Sequence, residues 1–148
     1  MSPPIKHQAT CVAVEGRAVL IEGPPGTGKS SLALALIDRG AVLVGDDGVS
    51  LEQLGAQLLA SPVPATAGLL EVRGLGLVSM PALAGVPVAL VIVLDAQAPR
   101  FIEVAERALR HGIPLPLVRL WPDSPVLPLR AELALRTYGL PPGGPVPA

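Results

Sequence analysis

Residues 18–47 read AVLIEGPPGTGKSSLALALIDRGAVLVGDD, and this stretch decides the fold class of the chain. An apolar run at residues 18–22 leads into a glycine-rich loop, and residues 29–39 then repeat apolar side chains at three- and four-residue spacing. Gly40 is typical of a helix end, and residues 41–44 are again apolar. Strand, loop, helix and strand in this order predict a βαβ unit with parallel strands and a right-handed crossover, and hence an α/β domain.

The loop at residues 23–30 matches the pattern G-x-x-x-x-G-K-[ST] without a gap, which is typical of loops that cradle the phosphates of ATP. Backbone N–H groups and the helix N-terminus would face the anion, the lysine would reach the β- and γ-phosphates, and the final serine would give its hydroxyl to Mg²⁺. The alternative is a Gly/Pro turn before an ordinary helix, which the flanking elements disfavour. The predicted nucleotide-binding residues are Gly23, Pro24, Pro25, Gly26, Thr27, Gly28, Lys29, Ser30 and Ser31.

Two charged clusters follow the loop. Asp46 and Asp47 come directly after the second strand, at the sheet edge where the phosphates would lie. They could hold Mg²⁺ or its waters, accept the proton of an attacking hydroxyl, or form a plain turn.

Glu71 and Arg73 are two residues apart in a short predicted strand, so their side chains lie on the same face of that strand. They could meet one ligand, Glu71 as a metal ligand and Arg73 at the transferring phosphate, or form a surface ion pair.

The remaining chain is predicted to form short strands and two more helices, and residues 48–67 are predicted to be irregular, without a strand or a helix. A composition that is 50% apolar and 2% aromatic is typical of buried parallel strands covered by Ala- and Leu-rich helices. Residues 1–140 are predicted to form one domain, and residues 141–148, PPGGPVPA, a disordered tail. The further predicted strands are 12–14, 68–72, 88–94 and 115–120, and the further predicted helices are 101–111 and 129–138.

Composition also limits the function. The net charge of −1 without a basic patch argues against nucleic acid as a partner. A single cysteine, Cys11, excludes an internal disulfide framework and fits a reducing compartment. The most apolar stretch, residues 83–94, contains Pro87 and is too short to cross a bilayer. A cytoplasmic protein without a membrane segment is expected.

Four motifs then occur in a characteristic order: H-x-A-[ST]-x-V at residues 7–12, the glycine-rich loop, L-V-x-D-D-x-V at residues 43–49, and L-L-E-V-R-G-L-G-L at residues 69–77. In this order, over about residues 7–80, the chain resembles the catalytic domain of the HPr kinase/phosphorylase family. The resemblance implies a P-loop kinase domain with a fold like that of phosphoenolpyruvate carboxykinase. It also implies a serine kinase that uses ATP and Mg²⁺ on HPr or a similar small phosphocarrier, reversal by phosphorolysis, and a homo-oligomer, commonly a hexamer.

The resemblance assigns roles to the clustered residues. Asp47, the second acid of the pair, matches the general base for the serine hydroxyl and the acid of the reverse reaction, with Asp46 beside it. Ser30 and Glu71 match the Mg²⁺ ligands, and Lys29 matches the phosphate clamp.

The resemblance also reaches residues outside these clusters. Without the resemblance, His7 would be interpreted as a solvated N-terminal histidine. With it, His7 matches the family's functional histidine. A later active-site arginine is expected, with Arg100 as the candidate and Arg107 as the alternative. The family's late Gly-Arg-Asn segment, linked to dephosphorylation, has only a remnant at residues 128–130. The chain resembles a short family form that consists of the catalytic domain.

Two other function classes stay open. Residues 88–95, VALVIVLD, form an apolar run ending in Asp95, which is typical of the strand that supplies the Mg²⁺ acid of a generic ATPase. No second acid follows to activate water, since Ala96 and Gln97 come next. The first rival is therefore a small P-loop ATPase that uses Asp95, and the second is a nucleotide-binding regulatory module without catalysis.

Overall fold

The computed structural model describes residues 3–142, which form strands and two helices; residues 143–148 of the predicted tail lie outside them. Within the described chain, no helix is both long and apolar enough to cross a membrane. The elements are β1 Ile5–His7, β2 Thr10–Val14, β3 Arg17–Glu22, α1 Lys29–Asp38, β4 Val42–Gly45, β5 Val49–Leu54, β6 Gln57–Ser61, a 3-10 turn Pro64–Thr66, β7 Leu69–Val72, β8 Gly76–Ser79, β9 Val86–Leu94, β10 Glu106–Arg110, β11 Ile113–Leu120 and α2 Leu127–Tyr138.

Three parallel strands form the centre of the main sheet. β9 pairs in parallel with β3 on one side and with β11 on the other. The main path of the sheet runs β1-β5-β6-β9-β3-β2-β4, β10 joins the outer edge of β11, and β7 and β8 form a separate two-stranded sheet. β3 and β4 are both antiparallel to β2, so they run in the same direction, as predicted for the βαβ unit, but β2 lies between them.

Both faces of the sheet are buried, which explains why its central strands are apolar without alternation. α1 and α2 pack on the same face, where Leu36 and Leu135 join Ile92 in one cluster. On the opposite face, Leu20 and Val91 cluster with side chains of β5, β6 and β11. Helices therefore cover one face only, whereas the sequence predicts strands covered by helices in general.

The predicted helix at residues 101–111 is wrong. Its second half is β10, which pairs antiparallel with β11 so that Arg110 lies opposite Ile113. The two residues between them, His111 and Gly112, have φ values of 49° and 82°. Positive φ at both positions is the geometry of a tight hairpin turn whose twist matches that of the strands. Pairing with β11 thus overrides a helix-like spacing that is too weak to decide the conformation.

Residues 49–61 carry no predicted element, yet they form the β5–β6 hairpin. Leu54 pairs with Gln57 across a two-residue turn that contains Gly55 at φ 62°. Val49 and Leu51 alternate with partly exposed residues and enter the second core cluster. This period-two pattern is the signal that could have identified the strand.

The core gives a first testable prediction. Leu90 on β9 is fully buried in the helix-side cluster, so Leu90→Ala leaves a cavity in a close-packed interior. We expect the free energy of unfolding to fall by about 2–5 kcal/mol, measured by urea denaturation. Leu54→Ala, at a side chain that is 45% exposed, serves as the matched control and should cost under about 1 kcal/mol. Equal losses in the two variants would contradict this description of the core.

Candidate active site

The glycine-rich loop connects the end of β3 with the start of α1. Gly23 has a φ of 148°, and a Cβ at this position would lie 2.8 Å from the backbone oxygen of Leu94 on the neighbouring strand, so no larger residue fits there. Gly28 occupies the N-cap of α1 in the left-handed region, with a φ of 94°, and provides no capping side chain. The first N–H groups of α1 therefore receive no cap from the side chain of the N-cap residue. These N–H groups can instead donate hydrogen bonds to an anion.

Lys29 folds back over the loop. Its Nζ donates to the backbone oxygen of Gly23 at 2.8 Å and to that of Pro24 at 3.1 Å. Thr27 Oγ1 donates to the same Pro24 oxygen at 2.8 Å. Lys29 forms no ion pair with an acid among residues 3–142, so its charge is held at the loop by neutral carbonyl groups alone.

Asp46 joins three elements at one carboxylate. Its Oδ1 accepts hydrogen bonds from Ser30 Oγ at 2.6 Å and from the buried Thr10 Oγ1 at 3.0 Å. Its Oδ2 accepts from the backbone N–H of Glu71 at 2.8 Å. The loop, the central sheet and the β7–β8 hairpin are therefore tied together by one side chain, and the Ser30 hydroxyl is oriented by it.

Asp47 is exposed and has a φ of 55°, an uncommon conformation for a residue other than glycine. Its carboxylate makes no hydrogen bond or ion pair with any residue that the structure describes. Strained backbone of this kind is concentrated at functional sites, where the surrounding structure holds it in place. Asp47 thus presents an unpaired carboxylate next to the Ser30–Asp46 contact.

These groups border one cavity of about 300 Å³. Glu71 and Arg73 line it from the β7–β8 hairpin, and both side chains are exposed. The structure therefore places most of the predicted site residues around one cavity, including both charged clusters. The lining consists of Thr10, Pro25, Gly26, Gly28, Lys29, Ser30, Ser31, Asp46, Asp47, Glu71 and Arg73.

Oxygen donors from Ser30, the two aspartates and Glu71 are the donor set that Mg²⁺ prefers. No group of three or more His, Cys, Asp or Glu side chains arranged to hold a metal occurs among residues 3–142. Mg²⁺ usually takes one or two protein carboxylates and completes its shell with water and substrate phosphates. The residues present therefore fit a magnesium ion that arrives with a nucleotide.

His7 lies outside this cavity lining and pairs with Glu22, the last residue before the loop. Its Nε2 is 2.7 Å from Glu22 Oε2. Arg110, on β10, donates from Nη2 to Glu22 Oε1 at 2.7 Å and from Nε to Oε2 at 3.0 Å. Sequence reasoning missed Glu22 and Arg110, which belong to no motif, and it assigned no role to the buried hydroxyl of Thr10, although Thr10 lies in the motif at residues 7–12.

Burial by itself would raise the pKa of Glu22, but hydrogen bonds from His7 and Arg110, together with their charges, outweigh burial and lower this pKa from 4.5 to about 2. The folded chain therefore binds fewer protons at Glu22 than the unfolded chain does. The resulting stabilisation is present above about pH 4.5 and is lost as the pH falls towards about 2.

Glu22→Gln removes this contribution. At neutral pH we expect the variant to be about 1–2 kcal/mol less stable than the parent, a figure reduced for solvent screening of a partly exposed group. The difference should shrink below about pH 4.5 and vanish near pH 2, measured as the free energy of unfolding across pH. Glu103→Gln, at an exposed carboxylate without a described partner, should follow the parent throughout. A difference independent of pH would contradict the paired state of Glu22.

The two late arginines and Asp95 are not brought to the loop cavity. Arg100 borders a second cavity, and Arg107 is an exposed residue of β10 that lines no described cavity. Asp95 accepts a hydrogen bond from the N–H of Gln97 at 2.8 Å and lies 3.5 Å from Arg119. The carboxylate that contacts the loop serine is that of Asp46, so Asp95 does not occupy the position that the ATPase alternative requires.

Comparison with known proteins agrees with this geometry. The family model described as HPr Serine kinase C-terminal domain matches residues 1–91. The HPr kinase/phosphorylase of Clostridium tetani is 42% identical over 85 residues, and that of Clostridium acetobutylicum is 40% identical over 85 residues. Both alignments cover 57% of this chain but 28% of the relative, so the chain matches under a third of the length of these proteins.

A solved structure extends the similarity beyond the aligned segment. The Hpr(Ser) kinase/phosphatase from Coxiella burnetii superposes with a TM-score of 0.80 at 30% sequence identity. The match covers 89% of this chain and 88% of that chain. A match over 89% of the chain extends past residue 91, where the family model ends, so the shared mixed α/β fold includes part of the later chain.

Proposed function

The chain belongs to the HPr serine kinase C-terminal domain family, and from this premise we propose that it transfers the γ-phosphoryl group of ATP to a serine hydroxyl of the phosphocarrier protein HPr. The acceptor in this proposal follows the names of the family and of its relatives. The cavity between the glycine-rich loop and the paired acids is the proposed active site.

The loop is the proposed phosphate site. Its backbone and the uncapped start of α1 offer N–H donors, which favour an anion together with the positive end of the helix dipole. Lys29 adds a cation that no acid of the described chain neutralises. The β- and γ-phosphates of ATP carry negative charge, which would balance the positive charge of Lys29 and of the helix N-terminus.

Ser30 and Glu71 are the proposed protein ligands of Mg²⁺. The bound ion would neutralise charge on the β- and γ-phosphate oxygens. Asp46 holds Ser30 Oγ at 2.6 Å and also fixes the backbone of Glu71, so one carboxylate positions both proposed ligands. This arrangement is the observation that carries the proposal, because it joins the loop to the acidic cluster in the way a phosphoryl-transfer site needs.

Asp47 is the proposed general base. Its unpaired carboxylate borders the cavity next to Asp46 and can take the proton of the serine hydroxyl as that oxygen attacks the γ-phosphorus. A new bond forms between the serine oxygen and phosphorus, the bond to the β,γ-bridging oxygen breaks, and ADP leaves. Arg73 borders the same cavity and can stabilise the negative charge of the transferring group.

A generic ATPase that relies on Asp95 is disfavoured by the contacts of that residue. Its carboxylate is used by the N–H of Gln97 and by Arg119, and it is absent from the lining of the loop cavity. A kinase also needs room for a second substrate at the terminal phosphate. The exposed position of Asp47 and Arg73 leaves this side of the cavity open to a protein hydroxyl.

The test is transfer of label. Purified protein is incubated with Mg²⁺, ATP labelled in the γ-phosphate, and HPr, and the matched control is HPr whose acceptor serine is replaced by alanine. Label on the parent HPr and none on the control supports the proposal. Binding of ATP without label on HPr would reject HPr as the acceptor, and release of labelled phosphate in its place would favour simple hydrolysis.

A further inference from the structure

A second concavity lies at the ends of β9 and β11, and we call it the arginine–aromatic groove. Its arginine-lined part encloses about 570 Å³, within the range of small-molecule sites. It continues through shared residues into an apolar part along α2. Its arginine and aromatic members are Arg100, Phe101, Arg119, Trp121, Arg130 and Tyr138.

The side chains of this groove are unusual for this chain. The sequence contains one phenylalanine, one tryptophan and one tyrosine, and all three border the groove. Phe101 is 79% exposed and Trp121 is 46% exposed, although large apolar side chains gain free energy from burial. The guanidinium groups of Arg100 and Arg130 make no hydrogen bond or ion pair with any described residue, whereas Arg119 pairs with two carboxylates. The groove therefore presents exposed aromatic rings and two guanidinium groups that have no hydrogen-bond or ion-pair partner among the described residues.

The groove lies close to the glycine-rich loop. β3, β9 and β11 are parallel and in register, with Glu22 opposite Val93 and Val93 opposite Arg119. The loop begins directly after Glu22, and the groove is built from the residues that follow Val93 and from Arg119 onward. Two strand spacings separate β3 from β11, which is about 10 Å. The backbone of Gly23 packs against Leu94 at the end of the strand between them.

The acids define the direction in which a nucleotide would lie. Asp46, Asp47 and Glu71 are on the β4 and β7 side of the loop, so this is the side of the terminal phosphate and its metal. The nucleoside then extends from the loop towards the opposite side, which is that of β9 and β11. We propose that the arginine–aromatic groove holds the base and ribose of the nucleoside triphosphate, an inference that rests on the proposed function.

The chemistry of the groove suits a nucleobase. Bases stack on aromatic rings, and the planar guanidinium of arginine stacks on a π-face or hydrogen-bonds a phosphate or ribose oxygen. Trp121 and Arg100 border the part of the groove that follows the strand ends, and so they are the proposed stacking residues. Surface arginines without an internal acid partner are free to make these contacts.

Trp121 is the single tryptophan of the chain and serves as a built-in probe. Its fluorescence is recorded while ATP, or inorganic tripolyphosphate, is added in the presence of Mg²⁺, and calorimetry measures each affinity independently. We expect ATP to change the emission of Trp121. Tripolyphosphate, which has phosphates but no nucleoside, should bind without changing it.

Substitutions in the groove distinguish binding of the nucleoside from binding of the phosphates. Arg100→Ala and Trp121→Ala should each raise the Kd for ATP about 5- to 20-fold, the effect expected for loss of one stacking contact, and leave the Kd for tripolyphosphate unchanged. Arg136→Ala, an exposed arginine of α2 outside the groove lining, is the matched control and should behave as the parent.

The outcomes distinguish this inference from the proposed function. If ATP binds with no response from Trp121 and with parental affinity in both variants, the groove assignment is wrong while the kinase proposal stands. If the variants weaken tripolyphosphate as strongly as ATP, the groove contacts phosphates and the nucleoside assignment is also wrong. If neither compound binds the parent protein, the proposed function fails and this inference fails with it.

Discussion

Replacement of Asp47 by asparagine is expected to lower the rate of phosphoryl transfer to HPr by about 10²- to 10⁴-fold, the contribution typical of a general base. Asparagine keeps the size of the side chain and tolerates positive φ, so the strained turn at φ 55° should persist. The carboxylate has no hydrogen-bond or ion-pair partner among the described residues, and its loss should therefore leave folding intact. ATP affinity should change little, since the proposed phosphate contacts belong to the loop.

Asp95→Asn is the control that separates the kinase from the ATPase alternative. Asp95 follows an apolar strand, as an ATPase acid would, but its contacts are with Gln97 and Arg119. We expect this variant to keep transfer within about three-fold of the parent, as surface changes usually do. The measurement is the initial rate of HPr labelling at saturating ATP. Loss of activity in Asp95→Asn with retention in Asp47→Asn would reverse the assignment of the two acids.

Lys29→Ala is expected to abolish measurable transfer and to weaken ATP binding by about 30- to 5,000-fold, since removal of one partner from a charge-assisted contact costs about 2–5 kcal/mol. In the structure Nζ donates to two loop carbonyl groups, and this position keeps the ammonium group over the loop. The variant leaves those carbonyl groups exposed to solvent, so the effect on stability should be small compared with the effect on binding.

The matched control for this variant is Arg39→Ala at the other end of α1. Arg39 pairs with Glu132 on α2 through Nη2 at 2.9 Å, and the pair is partly exposed. Its removal takes one positive charge from the same helix, and we expect ATP affinity to remain within about two-fold of the parent. Calorimetry with ATP and Mg²⁺ gives both affinities. Parental affinity in Lys29→Ala would contradict the proposed phosphate site.

The active-site candidates were largely predictable because they are contiguous or directly follow strand ends. The loop pattern is read without any fold, and Asp46 and Asp47 follow β4 at an edge where parallel strands end together. The sequence could not choose between Asp46 and Asp95 as the partner of Ser30, because both follow apolar strands. The choice depends on strand order, which is a property of the whole sheet.

The misread region at residues 101–111 has a related cause. Helix-like spacing over a few residues is compatible with an exposed strand when the partner strand is unknown. β11 pairs with β9 on one edge and with β10 on the other, and the turn at His111 and Gly112 connects β10 to β11. The signal present was the His-Gly pair at the turn, which local spacing outweighed.

The sequence by itself determined the glycine-rich loop, the helix behind it, the central apolar strands and the identity of the paired acids, because each is encoded in a few neighbouring residues. The tertiary structure alone decided which of these groups meet. Ser30 and Asp46 are 16 residues apart, and Glu22 and Arg110 are 88 residues apart, yet each pair is in hydrogen-bond contact. Such contacts, like the convergence of the three aromatic side chains on one groove, follow from the order and direction of strands in the sheet, which arise from packing the whole core and not from any local pattern.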